Sequence, residues 1–231
     1  MLMNPQNLPD RVQEVRERVA TAVASAGRSV DSVTLLAVGK GQPAATLRAA
    51  AALGLTQFGE SYVQEGLAKM AQLRDLPLTW HFIGRLQANK TRPVAESFSW
   101  VHGVERLKIA QRLSEQRPYH APPLNVCLQV NIAGEQSKGG AGPDELPGLA
   151  AAVAELPRLR LRGLMCLPPE ETDPARQRHW FAALRALRDS LNQGGAALDT
   201  LSMGMSGDFE SAILEGATLI RIGTALFGPR N

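Results

Sequence analysis

The sequence predicts a (β/α)8 barrel preceded by one extra amino-terminal helix. After a leading helical segment, eight short apolar strand patterns alternate with helical patterns to the end of the chain. Strands joined through helices pair in parallel, with right-handed crossovers. Eight such units in 231 residues match the size of a compact barrel. The same units could form an open doubly wound sheet. Its dinucleotide-binding version needs Gly-x-Gly-x-x-Gly after the first strand, and that motif is absent here. No composition shift or low-complexity linker divides the chain, so residues 1–231 are read as one domain.

Asn7-Leu-Pro-Asp10 opens the leading helix, which carries Val12, Val15, Val19 and Val23 on one face and ends near Gly27. Strand one is Val33 to Val38, and a helix over 43–53 stops at Gly54. Strand two is Leu55 to Phe58, and its helix carries Val63, Leu67 and Met70. Strand three is Leu78 to Ile83, with a helix from Gln87. Strand four is Phe98 to Val101, then a His102-Gly103 turn and a helix with Leu107, Ala110 and Leu113. Strand five is Asn125 to Val130, followed by a glycine-rich loop, Gly134 to Gly142, and a helix over 145–155. Strand six is Leu159 to Met165, and the helix after it is the clearest amphipathic segment, with Trp180, Leu184, Leu187 and Leu191 on one face. Strand seven is Thr200 to Met203, with a helix over 208–215, and strand eight is Thr218 to Ile222 with a short tail.

Composition excludes several classes. Net charge is +3, from 25 basic and 22 acidic residues, with no run of like charge and 5% aromatic content, so nucleic acid is not expected as a partner. No run is long and apolar enough to span a bilayer and no signal-peptide pattern opens the chain, so a cytoplasmic protein without a membrane partner is expected. Cys127 and Cys166 lie in apolar strands and read as small buried hydrophobes of a reducing compartment. The histidines and cysteines show no metal-ligand spacing.

Lys40 is one of only five lysines, with Lys69, Lys90, Lys108 and Lys138. It follows strand one, and strand alternation points Leu36, Val38 and Lys40 the same way. A lone lysine past a strand is ordinarily a surface residue. Against apolar walls its neutral amine is favoured, and a neutral amine attacks aldehydes. In a barrel, the carboxyl ends of the strands share one mouth. Residues at those ends include Lys40, Glu60, Ser61, Gly84, His102, Asn131, Ser202, Ser206, Arg221, Gly223 and Thr224. Ser202-Met-Gly-Met-Ser206-Gly-Asp208 and Ile222-Gly-Thr224 form turns of the kind that bind phosphate through backbone N–H groups and hydroxyls. The alternative is that Ser206 or Asp208 only caps the next helix, and Asp208 is expected to cap in either case.

These stretches resemble the pyridoxal-phosphate homeostasis proteins, a group similar to the barrel domain of alanine racemase. The matching runs are Leu36-Ala-Val-Gly-Lys40, Phe58-Gly-Glu-Ser-Tyr-Val-Gln-Glu65, His81-Phe-Ile-Gly-Arg-Leu-Gln-Ala-Asn-Lys90, Val130-Asn-Ile, Gly163-Leu-Met165, Leu201-Ser-Met-Gly-Met-Ser-Gly-Asp208 and Ile220-Arg-Ile-Gly-Thr-Ala-Leu-Phe-Gly228. The resemblance implies pyridoxal 5′-phosphate held as a Schiff base on Lys40, Arg221 facing the pyridine nitrogen, and phosphate contacts from Ser206, Gly223 and Thr224. Ser61, His81 and Ser202 complete the expected cofactor-binding set, although His81 in mid-strand also reads as a hydrogen-bonded core histidine. The sequence departs from the family pattern at Gly39, where Ser or Thr is usual, at Ser61, where Asn is usual, and at Gln42, where a second lysine is usual.

Three functions are weighed. The favoured one is a monomeric protein that carries or buffers pyridoxal phosphate for apoenzymes without robust catalysis. A guanidinium beside the pyridine nitrogen leaves it unprotonated and weakens the electron sink. The second is a small amino-acid racemase using Lys40 as one base. Racemisation needs acid–base groups on both faces of the substrate carbon, and the chain stops at Asn231 without the carboxyl-terminal domain of alanine racemases. Tyr62 and Tyr119 read as helix-surface or loop residues. The third is a phosphate-binding barrel enzyme that does not use this cofactor.

Overall fold

The structure is a computed structural model that describes residues 8–135 and 139–229. Eight parallel strands close into a barrel in chain order: β1 (Thr34–Val38), β2 (Gln57–Glu60), β3 (Thr79–Phe82), β4 (Trp100–Val104), β5 (Leu124–Val130), β6 (Leu159–Cys166), β7 (Thr200–Ser202) and β8 (Leu219–Ile222). The ring closes where β1 pairs with β8, Leu36 opposite Arg221 and Ala37 opposite Ile222. The leading helix α1 (Leu8–Ser25) buries Val12, Val15, Val19 and Val23, the face its valine spacing predicts. Asn7, the expected first residue of that segment, lies outside the described residues.

The helices follow in order: α2 (Ala44–Ala52), α3 (Val63–Gln72), α4 (Thr91–Ser97), α5 (Leu107–Gln116), α6 (Leu146–Ala154), α7 (Pro174–Gln193), α8 (Phe209–Leu214) and the single turn α9 (Thr224–Phe227). Strand residues alternate between two environments. Ala37, Phe58, Phe82, Val101, Leu164, Leu201, Ile220 and Ile222 join the hydrophobic layer under the helices. Leu36, Val38, Cys127, Met165 and Leu219 are buried but lie apart from that layer, in the lumen. His81, His102, Ser202 and Arg221 share the lumen and bond to one another there.

The structure shifts four expectations. Strand two begins at Gln57 rather than Leu55 because Leu55 closes α2. Gly54 takes a positive φ of 85°, its N–H bonds the Ala51 carbonyl, and the Leu55 N–H reaches the Ala50 carbonyl. That is a Schellman ending, with Leu55 as its apolar contact. Strand four begins at Trp100 and takes in His102-Gly103, because Phe98 closes α4 through its N–H to the Val94 carbonyl. The Phe98 ring then packs edge-on against Phe82, with centroids 5.5 Å apart. On α7 the buried face is Gln177, Phe181 and Leu184, so Trp180 stands at its margin, half-buried. The helix expected from Gln87 starts with a 3-10 turn, Ala88–Lys90, and becomes α-helical at Thr91.

Gly163 permits the closest approach between strands. A Cβ there would lie 1.8 Å from the Thr200 carbonyl oxygen. No side-chain rotation relieves a clash with backbone. Gly163→Ala is expected to destabilise the fold by more than about 3 kcal/mol. Urea denaturation of the full chain measures it.

Candidate functional site

Two residues beyond β1, Lys40 sits in the turn that leaves the barrel. It lines a cleft with Val38, Gln42, Gly223, Thr224, Phe227 and Gly228. Lys40 is half-buried and Thr224 exposed, so the cleft opens to solvent at the carboxyl ends of β1 and β8. Ser206 reaches the same region, because its hydroxyl oxygen accepts the Ala225 N–H at 3.2 Å. That bond ties the turn after β7 to the first turn of α9.

Beneath this mouth, Arg221 is buried in the lumen. Its two terminal nitrogens donate to the Ser202 hydroxyl at 2.8 Å and to the Cys166 carbonyl at 2.9 Å. From Ser202 a chain of short contacts runs down the barrel. Ser202 Oγ is 2.7 Å from His102 Nδ1, His102 Nε2 is 2.9 Å from His81 Nδ1, and His81 Nε2 is 2.8 Å from Gln57 Oε1. One direction of donation satisfies every link. Arg221 gives to Ser202, the Ser202 O–H to His102, His102 Nε2–H to His81, and His81 Nε2–H to the Gln57 carbonyl oxygen. This assignment needs both rings neutral. Burial lowers the His81 pKa to about 3. Burial also takes His102 well below its ordinary value, helped by the positive charge of Arg221. Burial lowers the Arg221 pKa too. A guanidinium starts so high that it keeps its charge at neutral pH.

A second buried group of charges lies behind the Lys40 turn. Lys69, on α3, donates to the Gly39 carbonyl at 2.6 Å, to Glu60 Oε1 at 2.8 Å and to Glu65 Oε1 at 2.7 Å. Glu65 Oε1 also accepts the Gly41 N–H at 2.6 Å. Glu60, at the end of β2, is fully buried, and its Oε2 has no hydrogen-bond partner. Burial raises the Glu60 pKa to about 7, opposed by its bond to Lys69. A Cβ on Gly39 would come within 2.6 Å of Glu60 Oε1, so glycine suits this place while the carboxylate lies where it does.

The structure thus gathers Lys40, Gly223 and Thr224 in one cleft, links Ser206 to it, and sets Arg221 and Ser202 just below. Ser61 stands in the bend after β2, where Gly84 packs on its carbonyl. His81 is set apart. It lines a cavity of about 450 Å³ at the opposite, amino-terminal end of the barrel, with Gln57, Thr79, Trp100, Arg162 and Asp199. Its place is the hydrogen-bonded core position, not the Lys40 cleft. His102, expected in a mouth turn, is a fully buried strand residue. Asp208 precedes α8 but does not cap it; its carboxylate turns back to accept the Met205 N–H at 2.6 Å. Tyr62 and Tyr119 are 66% and 94% exposed. Lys138 lies outside the described residues. Among the described residues no His, Cys, Asp and Glu group is placed to hold a metal, and no helix is long and apolar enough to cross a membrane.

Residue-by-residue reading passed over the Glu60–Lys69–Glu65 group and the Cys166 carbonyl. Glu65 and Lys69 stand four apart on a helix, a spacing that ordinarily marks a solvated surface pair. The signal that could have separated them is Glu60, a carboxylate at the end of an apolar strand.

The family model described as alanine racemase, N-terminal domain, matches residues 11–231. A protein of Pseudomonas aeruginosa named pyridoxal phosphate homeostasis protein is 59% identical over 224 residues, covering 97% of this chain and 96% of its own. A protein of the same name from Escherichia coli K12 is 48% identical over 228 residues, covering 97% of each. Among solved structures, PipY of Synechococcus elongatus PCC7942 with PLP bound has a TM-score of 0.83 at 38% identity, covering 96% of this chain and 100% of that one. An alanine racemase of Clostridium difficile 630 shares the fold, with a TM-score of 0.75 at 13% identity, covering 98% of this chain and 58% of that one.

The Glu60 shift has a consequence for stability. Its folded pKa of about 7 lies above the ordinary value of 4.5, so between those limits the folded chain holds a proton that the unfolded chain has released. Stability from this group is complete below about pH 4.5 and is lost as pH rises through about 7. Glu60→Gln is expected to flatten the fall in stability across that window. Denaturant melts of both proteins at a series of pH values measure the difference.

Proposed function

The chain belongs to the pyridoxal phosphate homeostasis proteins, within the alanine racemase N-terminal domain family, and from that premise we propose that it binds pyridoxal 5′-phosphate on Lys40 and carries or buffers the cofactor. The observation that carries this reading is the shared cleft of Lys40, Gly223 and Thr224, two residues along the chain from buried Arg221. The donor set suits the cofactor. Lys40 offers an amine for an aldehyde, Arg221 a guanidinium for an unprotonated ring nitrogen, and Thr224 a hydroxyl for a phosphate beside the turn that Ser206 holds. When bound, the cofactor supplies an aldehyde carbon that condenses with an amine and loses water. The relative solved with PLP bound supports the cofactor, and the relatives' names support the role.

Carrying without turnover is part of the proposal. Arg221 is held in place by Ser202 and the Cys166 carbonyl and keeps its positive charge, which leaves a ring nitrogen facing it without a proton and makes a weak electron sink. The Ser202–His102–His81 chain engages both buried rings away from the cleft, so neither serves as an acid there. An open cleft suits passage of the cofactor to apoenzymes. We place this activity in the cytoplasm and in a single-domain monomer.

Two outcomes are expected. Thr224→Ala removes one charge-assisted hydrogen bond and should cost about 1.5–3 kcal/mol, or roughly one to two decades in Kd for pyridoxal phosphate. Unphosphorylated pyridoxal should bind almost as before, whereas equal weakening of the two would put the phosphate elsewhere. Holoprotein incubated with single enantiomers of alanine or serine should show no sustained inversion by chiral chromatography. Multiple turnover that vanishes in Lys40→Ala would favour a racemase.

A further inference from the structure

We propose that Lys69 is a positioning residue for Lys40: together with Glu60 and Glu65 it grips both peptide groups that flank the Lys40 Cα and so aims the Lys40 amine. The inference deepens the assignment of the cofactor to Lys40 and rests on it.

The geometry is specific. The peptide before Lys40 is held by its carbonyl, since Gly39 O accepts from Lys69 Nζ at 2.6 Å. The peptide after Lys40 is held by its amide, since Gly41 N–H donates to Glu65 Oε1 at 2.6 Å. Lys69 joins the two grips, because the same nitrogen bonds the same Glu65 oxygen at 2.7 Å. Each peptide is a rigid plane, so fixing a plane on either side of a residue fixes its φ and ψ and the direction of its Cα–Cβ bond. Glu60 anchors the assembly to β2 through its 2.8 Å bond to Lys69.

The cluster is a costly way to hold a turn. Lys69 is 5% exposed and Glu60 fully buried. Buried ions lose hydration that a pair regains only with good geometry. An ammonium has three N–H donors, and all three are used here inside the protein. Lys69 is therefore no competitor for an aldehyde. Its bonds all serve the segment that bears Lys40.

The test uses Glu65→Ala, which removes the Gly41 acceptor at a half-buried helix position, and Glu60→Gln/Lys69→Met, which replaces the buried ion pair with a neutral pair. On the full chain without cofactor, hydrogen exchange of the 39–42 segment and the rate of reductive methylation of Lys40 by formaldehyde with cyanoborohydride as the hydride donor are measured. Exchange at Gly41 is expected to rise about tenfold or more in both variants, with melting midpoints near that of the parent. The Lys40 methylation rate is expected to change with it. Kd is then measured for pyridoxal phosphate and for pyridoxal. Both bind through the same step, in which Lys40 Nζ bonds the aldehyde carbon and water leaves, so both should weaken by the same factor, about tenfold. Unchanged exchange and methylation in folded variants would overturn the proposal. Weakening of pyridoxal phosphate alone would also overturn it, since the effect would then act through the phosphate. If the parent carries the cofactor on another lysine, the assignment to Lys40 fails, and the exchange and methylation data still decide whether Lys69 positions the turn.

Discussion

Closing eight parallel strands into a ring is the constraint on which the rest of this structure depends. Every second side chain of each strand must enter one narrow lumen, where no water replaces a lost hydrogen bond. Polar residues there survive only by satisfying one another. The line from Arg221 through Ser202, His102 and His81 to Gln57 is that solution, and it holds two neutral imidazoles beside a guanidinium. Its one consistent direction of donation fixes the tautomer of each ring.

The same closure separates the two ends of the barrel. Strand carboxyl ends bring Lys40, Thr224 and the Ser206 turn to one mouth. The opposite mouth holds a cavity lined by strand-start threonines and by Arg162, which pairs with Asp199 at 2.7 Å and covers the Trp100 ring at 4.9 Å. Polar groups at that end bind one another, as expected where a barrel invests in stability rather than chemistry. The lumen chain runs from Arg221 to Gln57 at that opposite cavity, and among the described residues lining the two sites the lysine is Lys40, in the carboxyl-end cleft.

Much of this was legible in the sequence, for local reasons. Strands buried on both faces are apolar runs, so all eight could be placed, and the glycine turns after β1 and β8 marked Lys40 and Thr224. The errors have a common origin. Leu55 and Phe98 look like strand residues but close helices, which moved β2 and β4 by two residues. Contacts between distant elements left no local mark. Ser202 meets His102 across 100 positions, and nothing around either residue announces the pair. The Glu60–Lys69–Glu65 cluster stayed hidden because helix spacing makes Glu65 and Lys69 look like solvated neighbours, and only the fold brings the Gly39 carbonyl to them.

The central claim is that Lys40 is the residue that carries the cofactor. The most direct measurement is borohydride reduction of the purified chain with pyridoxal phosphate, followed by peptide mapping of the label. The expected result is loss of the visible absorbance band and stoichiometric label on the peptide that contains Lys40. Full label on Lys69, Lys90, Lys108 or Lys138, with Lys40 unmodified, would contradict it.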